Sequence, residues 1–197
     1  MAQITATPSP PTVRTTGRTI ARWLVSFAGF PLGGGAAWLL TGPVDSPGSA
    51  LAGGLITGLV LGVVQAWAMR ADRRLSAAWT VATAVGLSIG LATGAALVGY
   101  STGLGDLAIQ GAVSGTAVGI AQAVVLRSRL GLIVLAWPAY LALAWTIGWI
   151  VSTSIGINVA EQFTVFGAAG AVTVALLTSV LPLLLRSRLV ENQRSVR

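Results

Sequence analysis

GLITGLVLGVVQAWAMR, from Gly54 to Arg70, is followed 57 residues on by GAVSGTAVGIAQAVVLR, from Gly111 to Arg127. Without a gap the two stretches share three glycines, a glutamine, an alanine and a closing arginine. At about 100° per residue, positions 0, 4, 8 and 11 of a helix fall within a sector of about 80°. Gly54, Gly58, Gly62 and Gln65 therefore line one narrow face, as do Gly111, Gly115, Gly119 and Gln122. A helix that is apolar all round, with a stripe of small residues and one amide, suits lipid, where hydrophobicity cannot draw helices together but close backbone approach can.

Composition agrees. Of 197 residues, 54% are hydrophobic and only 9% charged, with a mean hydropathy of +0.82. A soluble domain needs more charge than this on its surface. Six apolar stretches approach the roughly 20 residues that a crossing requires, at 19–40, 51–69, 77–99, 107–126, 132–152 and 163–185. Helices are expected, because an open sheet edge finds no partner in lipid and the alternation of a membrane barrel is missing.

The net charge of +7 comes from twelve arginines without a lysine, and their position explains them. Arg14, Arg18, Arg22, Arg70, Arg73, Arg74, Arg127, Arg129, Arg186, Arg188, Arg194 and Arg197 all lie outside the apolar cores. The loops around Asp45, Asp106 and Glu161 hold acids and no arginine. The positive-inside tendency then places both termini and the Arg70 and Arg127 loops in the cytoplasm. On this reading the charge sets topology, nucleic acid is not a partner, and Arg22, Arg70, Arg73, Arg74, Arg127, Arg129, Arg186 and Arg188 are topogenic. Arginine without lysine, beside much Ala, Gly and Val, suggests a bacterial cytoplasmic membrane.

The repeat extends beyond the opening pair. In the odd-numbered helices Trp23, Trp79 and Trp137 are each followed by a glycine at the same distance, Gly34, Gly90 and Gly148. In the even-numbered helices the terminal arginine recurs at Arg70, Arg127 and Arg186, and LRSRL occurs twice. The expected fold is an all-α integral membrane protein: six transmembrane helices as three repeated hairpins (19–70, 76–127 and 132–186) in a pseudo-threefold bundle, N-in and C-in. A disordered cytoplasmic tail, 1–18, precedes the membrane domain, 19–189, and a basic tail, 190–197, follows it. Each unit crosses twice, so the copies share one orientation, unlike inverted transporter repeats. The first apolar stretch is too long for a signal core and no A-x-A site follows it, so it is expected to be retained.

The third copy is worn. Aligned on Arg186, Gly170 keeps the first glycine, but Leu181-Pro182 stands where Gln-Ala stood. Sliding by three residues recovers Gly167, Ala171 and Ala175, with Thr178 in the amide's place. Pro182 removes one helical hydrogen bond and kinks the last turn.

Gly86, Gly90 and Gly94 extend the small-residue theme to the third helix, and Gly34, Gly148, Gly167 and Gly170 to the remaining ones. All are expected at helix seams. Gln65 and Gln122 lie five residues before their arginines, roughly 7–8 Å deep. The expected partner of each amide is a facing carbonyl, the other glutamine, or water. Two roles stay open for Gln65, Gln122 and Thr178: interhelical ties, or a polar ring lining a cavity. Trp23, Trp79, Trp137 and Trp67 are expected in one interfacial belt and Trp38, Tyr100 and Trp149 in the other.

Much chemistry is missing. There is no histidine or cysteine, no carboxylate cluster for a hard cation and no ionisable residue mid-crossing. No metal, cofactor, proton relay or general base is therefore expected. The hydroxyls of Ser26, Thr57, Ser88, Ser114, Thr146 and Thr173 have no visible base to make them nucleophiles. With its W-to-G and GxxxGxxxGxxQ spacings, the chain resembles, over residues 19–189, a loose set of uncharacterised bacterial multi-pass proteins with Gly-rich paired-helix repeats. That resemblance implies no activity. Size and crossing number also look like the substrate-capturing subunits of vitamin transporters, a likeness of architecture alone. The sequence therefore supports a non-catalytic subunit whose partners are the lipid bilayer and another membrane protein. The alternative is a facilitator or binding subunit for a neutral or apolar small molecule.

Overall fold

The computed structural model describes residues 13–156, 165 and 167–195, and side chains between 16 and 188. The helices are α1 (Val13–Val25), α2 (Gly29–Thr41), α3 (Pro47–Met69), α4 (Arg73–Leu97), α5 (Leu104–Leu130), α6 (Trp137–Ser154), α7 (Ala168–Thr178) and α8 (Val180–Ser195). Single 3₁₀ segments, Ser26–Ala28 and Gly131–Ala136, join α1 to α2 and α5 to α6. Among the described residues there is no strand. Among the described residues five helical segments are long and apolar enough to cross a membrane: Thr16–Thr41, Pro47–Met69, Arg73–Leu97, Leu104–Ser154 and Ala168–Arg188. The chain is a helical bundle fit for a membrane.

Several boundaries differ from expectation. Residues 13–18, assigned to a disordered tail, are the start of α1, because a nucleated helix adds a bond for each further residue it fixes. For the same reason α8 runs on to Ser195 through most of the expected basic tail. Residues 1–12 and Glu161 lie outside the described residues. The sixth apolar stretch breaks at Ser179, between α7 and α8. Pro182 has no N–H to give the Thr178 carbonyl, and its ring crowds that oxygen, so the interruption falls one turn before it.

The loops are capped by short polar residues. Ser46 and Ser49 form a reciprocal capping box at the start of α3, with Pro47 in the first turn. Asp72 caps α4 by accepting from the Leu75 N–H at 2.9 Å. Gly131 ends α5 with a φ of 63°, a conformation that favours a residue without Cβ.

Glycine decides how the helices meet. A Cβ on Gly54, Gly58 or Gly62 would strike the backbone of α4, at Leu87, Ala84 and Thr80 respectively. One on Gly86, Gly90 or Gly94 would strike α5 at Val118, Ser114 and Gln110. One on Gly111, Gly115 or Gly119 would meet α6 at Trp145, Leu141 and Pro138. In each series one helix is read upward and its neighbour downward, so α3/α4, α4/α5 and α5/α6 are antiparallel. The continuous segment Leu104–Ser154 therefore doubles back at its 3₁₀ turn.

Gly170 abuts the Gly148 carbonyl and the Ser152 hydroxyl, which closes α6 on α7. Among the described residues Gly34 faces only the Val165 side chain, while Gly29 and Gly33, which the stripe pattern passed over, seat α2 on Leu61 and Thr57 of α3. Gly167, expected in a seam, precedes α7 as its N-cap because that helix starts only at Ala168. Finally α7 reaches the Ser26–Ala28 turn and α8 reaches α1, so the last helices close on the first.

Candidate functional site

The axis of the bundle is filled by tryptophans. Trp23, Trp79 and Trp137, expected in an interfacial belt, are instead 1%, 1% and 7% exposed. A buried indole N–H needs an acceptor. The Trp79 Nε1 donates to Gln65 Oε1 at 3.1 Å, Trp137 Nε1 to Gln122 Oε1 at 2.9 Å, and Trp23 Nε1 to Thr178 Oγ1 at 3.2 Å. None of the expected partners of the amides is the one found; the partner is the indole. Each tryptophan at the start of a hairpin thus donates to the second helix of another hairpin, and the three bonds run in a circle.

The two chemistries of the acceptor are handled differently. An amide has separate donor and acceptor ends, and Gln122 uses both, its Nε2 donating to Thr83 Oγ1 at 3.0 Å. Thr178 works with one oxygen: it accepts from Trp23 and donates to the Val174 carbonyl at 2.7 Å. Of the two registers open for the third copy, the one that places Thr178 level with the amides is the one that brings it to a tryptophan. In that register Ala171 and Ala175 are buried, as the stripe requires.

Leu61, Val118 and Val174 lie one helical turn from Gln65, Gln122 and Thr178, and Leu141 and Trp145 complete the lining of an enclosed space. Its volume is about 10 Å³, the room one water molecule requires. Phe30 meets Trp145 edge-on at 5.8 Å, and Trp137 stacks on Tyr140 at 5.6 Å. The Tyr140 hydroxyl donates to the Leu177 carbonyl, which ties α6 to α7. The dense aromatics of α6 are thus mostly core.

The arginine-bearing ends of the helices meet one another. Arg129 pairs with Asp72 at 2.7 Å, and Arg186 Nη1 donates to Thr19 Oγ1 at 3.0 Å. The Leu75 backbone N–H first, and the Arg129 guanidinium next, hold the Asp72 carboxyl below the usual carboxylate range. Arg22 donates from Nη2 to the Trp67 carbonyl at 2.9 Å and lies 4.6 Å over the Trp67 ring. Arg70, Arg73, Arg74, Arg127 and Arg188 bracket the same end of the helices. At the opposite end Asp45 accepts from Ser49 Oγ at 3.3 Å and Asp106 accepts from Ser101 Oγ. Each acid is held by its own loop. Among the described residues no group of His, Cys, Asp or Glu is arranged to hold a metal.

Sequence reasoning missed the indoles as donors, Thr83 as a second contact, and Asp72. A signal for the first was present. Gln65 lies five residues before Arg70 and Trp79 six after Arg73, so both sit about 7–9 Å below the same loop. No protein-family profile, curated protein or solved structure matches this chain.

Proposed function

We propose that this protein is a non-catalytic multi-pass membrane subunit, a sealed bundle that supports or docks another membrane protein. The carrying observation is the circle of three indole donors around an axis with about 10 Å³ of free space. Ligand sites typically offer some 300–1,000 Å³. A bundle closed in this way does its work on its outer face, where Leu39, Leu40, Val124 and Leu132 are exposed to lipid or partner. The reading takes the doubled-back Leu104–Ser154 segment as two crossings, giving six in three like hairpins about a pseudo-threefold axis. Both termini and the arginine end then lie in the cytoplasm of a bacterial plasma membrane.

Photo-crosslinking in intact membranes tests the docking role. Reactive residues at Val124 or Leu132 are expected to give a discrete protein adduct, whereas one at the buried Leu61 gives only intramolecular products. A lone monomer with lipid adducts alone would overturn the reading, as would saturable flux of a neutral solute abolished by Gln122→Leu. The chain has no cysteine, so single introduced thiols test the topology cleanly. Gly48→Cys and Thr102→Cys are expected to react with an impermeant maleimide from outside the cell, and Ser128→Cys only after permeabilisation.

A further inference from the structure

At the arginine end, α3 and α4 leave an open groove of about 770 Å³ whose lining includes Arg22, Val63, Trp67, Arg70, Ala77 and Val81. Val63, Trp67 and Val81 are 57%, 54% and 58% exposed, so the apolar part of the groove opens to the bilayer. Its charged part is one-signed, since no acidic side chain lines it. The Arg22 guanidinium is held in place by the Trp67 carbonyl and ring, yet its Nε is buried without a hydrogen-bond partner in the protein. A charged group with a donor left in that state is costly, and an anion beside the guanidinium offsets that cost through its charge.

Two further observations point the same way. The residue before each axial tryptophan is Arg22, Ala78 and Ala136 in turn, and the position of Trp67 is taken in the second hairpin by Val124. The repeat is thus broken here in favour of a cation and an aromatic platform. Arg70, moreover, has a φ of 56°, the left-handed conformation at a helix end that is ordinarily left to glycine. A chain with 25 glycines spends an arginine there and accepts the strain.

We propose that this groove binds one anionic phospholipid of the arginine-side leaflet. Arg22 and Arg70 donate to its phosphate, Trp67 lies at the level of its headgroup and glycerol, and an acyl chain runs along Val63, Ala77 and Val81. Two guanidinium groups with no lining carboxylate favour a headgroup without its own ammonium. Basic pockets beside membrane helices recognise anionic headgroups on these terms.

Native mass spectrometry of the full chain in detergent, with phosphatidylglycerol, phosphatidylcholine or inorganic phosphate added, tests this. One phosphatidylglycerol is expected to be retained in preference to phosphatidylcholine, and inorganic phosphate does not displace it. Arg22→Gln or Arg70→Gln weakens retention roughly fivefold each, about 30-fold together. Ala77→Trp keeps every charge, fills the groove and weakens retention as well. Arg127→Gln, an equal loss of charge elsewhere, leaves it unchanged. Equal retention of the two lipids, displacement by phosphate, an Arg127→Gln effect matching that of Arg22→Gln, or an Ala77→Trp variant that binds normally would each overturn the proposal. Lipid retention is read independently of any protein partner, so its failure leaves the docking role standing.

Discussion

Replacing Gln122 with leucine tests whether the axial circle is a bonded structure or a coincidence of packing. Leucine fills much of the same space, so the change is chiefly one of polarity. Two hydrogen bonds vanish, the one from Trp137 and the one to Thr83. Bonds between membrane helices average about 0.6 kcal/mol, so their direct loss comes to roughly 1 kcal/mol. Gln122 is 2% exposed, and the axial space beside the indole it leaves behind has room for one water at most. A stranded buried donor adds about 1–3 kcal/mol. Thr83 escapes that penalty, because its hydroxyl can turn to a carbonyl of its own helix. The expected loss is therefore about 2–4 kcal/mol, measured by SDS titration in mixed micelles with far-UV circular dichroism. Trp137→Phe strands the opposite partner. The double variant leaves neither group unpaired, so the two losses should fall short of additive by about 1 kcal/mol or more. Additivity within about 0.5 kcal/mol would mean that the pair does not interact.

The glycine seams make a paired prediction. A Cβ on Gly58 would lie 2.5 Å from Ala84 Cα, so Gly58→Ala should cost about 1–3 kcal/mol in the same titration, whereas Gly35 has nothing within 4 Å and Gly35→Ala should be neutral or stabilising. The third acceptor should behave as a hydroxyl: Thr178→Val keeps the shape but strands Trp23 and should lose about 1–3 kcal/mol, while Thr178→Ser keeps most of the stability. Asp72 is ionised more readily in the folded chain, so its contribution is complete above the ordinary carboxylate pKa of about 4 and disappears as pH falls through the lower folded value. Asp72→Asn, which can still cap α4, should therefore be less stable than wild type at neutral pH and should converge with it at the acid end of a pH series.

The stripe was legible because its physics is steric and local. Gly54, Gly58 and Gly62 can share a face only if something approaches that face, and the spacing alone says so. Which helix approaches was not legible, since the same spacing serves a neighbour within the hairpin or beyond it. The tryptophans misled for a related reason. A tryptophan near a membrane interface faces either lipid or core, and sequence depth is equal in the two cases. Rotation about the helix axis distinguishes them. Trp79 and Gly90 are eleven residues apart, the same interval that places Gln65 beneath Gly54. Glycine and tryptophan in that register turn toward the protein together. The start of α1 at Val13 and the capping by Asp72 were not readable from hydropathy, because both occur beyond the apolar stretch.

Thr178, an acceptor where the other two are glutamines, bears on how the circle closes. Threonine carries its oxygen on Cβ, whereas glutamine carries its amide two carbons further out, so a helix bearing threonine must stand nearer to the indole it serves. One of the two described 3₁₀ segments lies at that seam, the other being Gly131–Ala136 between α5 and α6. The Ser26–Ala28 3₁₀ turn, one turn beyond Trp23, is packed on α7, and α7 itself ends at Thr178, before the interruption that Pro182 imposes. A 3₁₀ turn is longer and narrower than an α turn, and it lets one helix draw closer to its neighbour at a single level. The first and last helices thus meet by local distortion where the others meet through glycine, and the bond from Trp23 to Thr178 is the longest of the three.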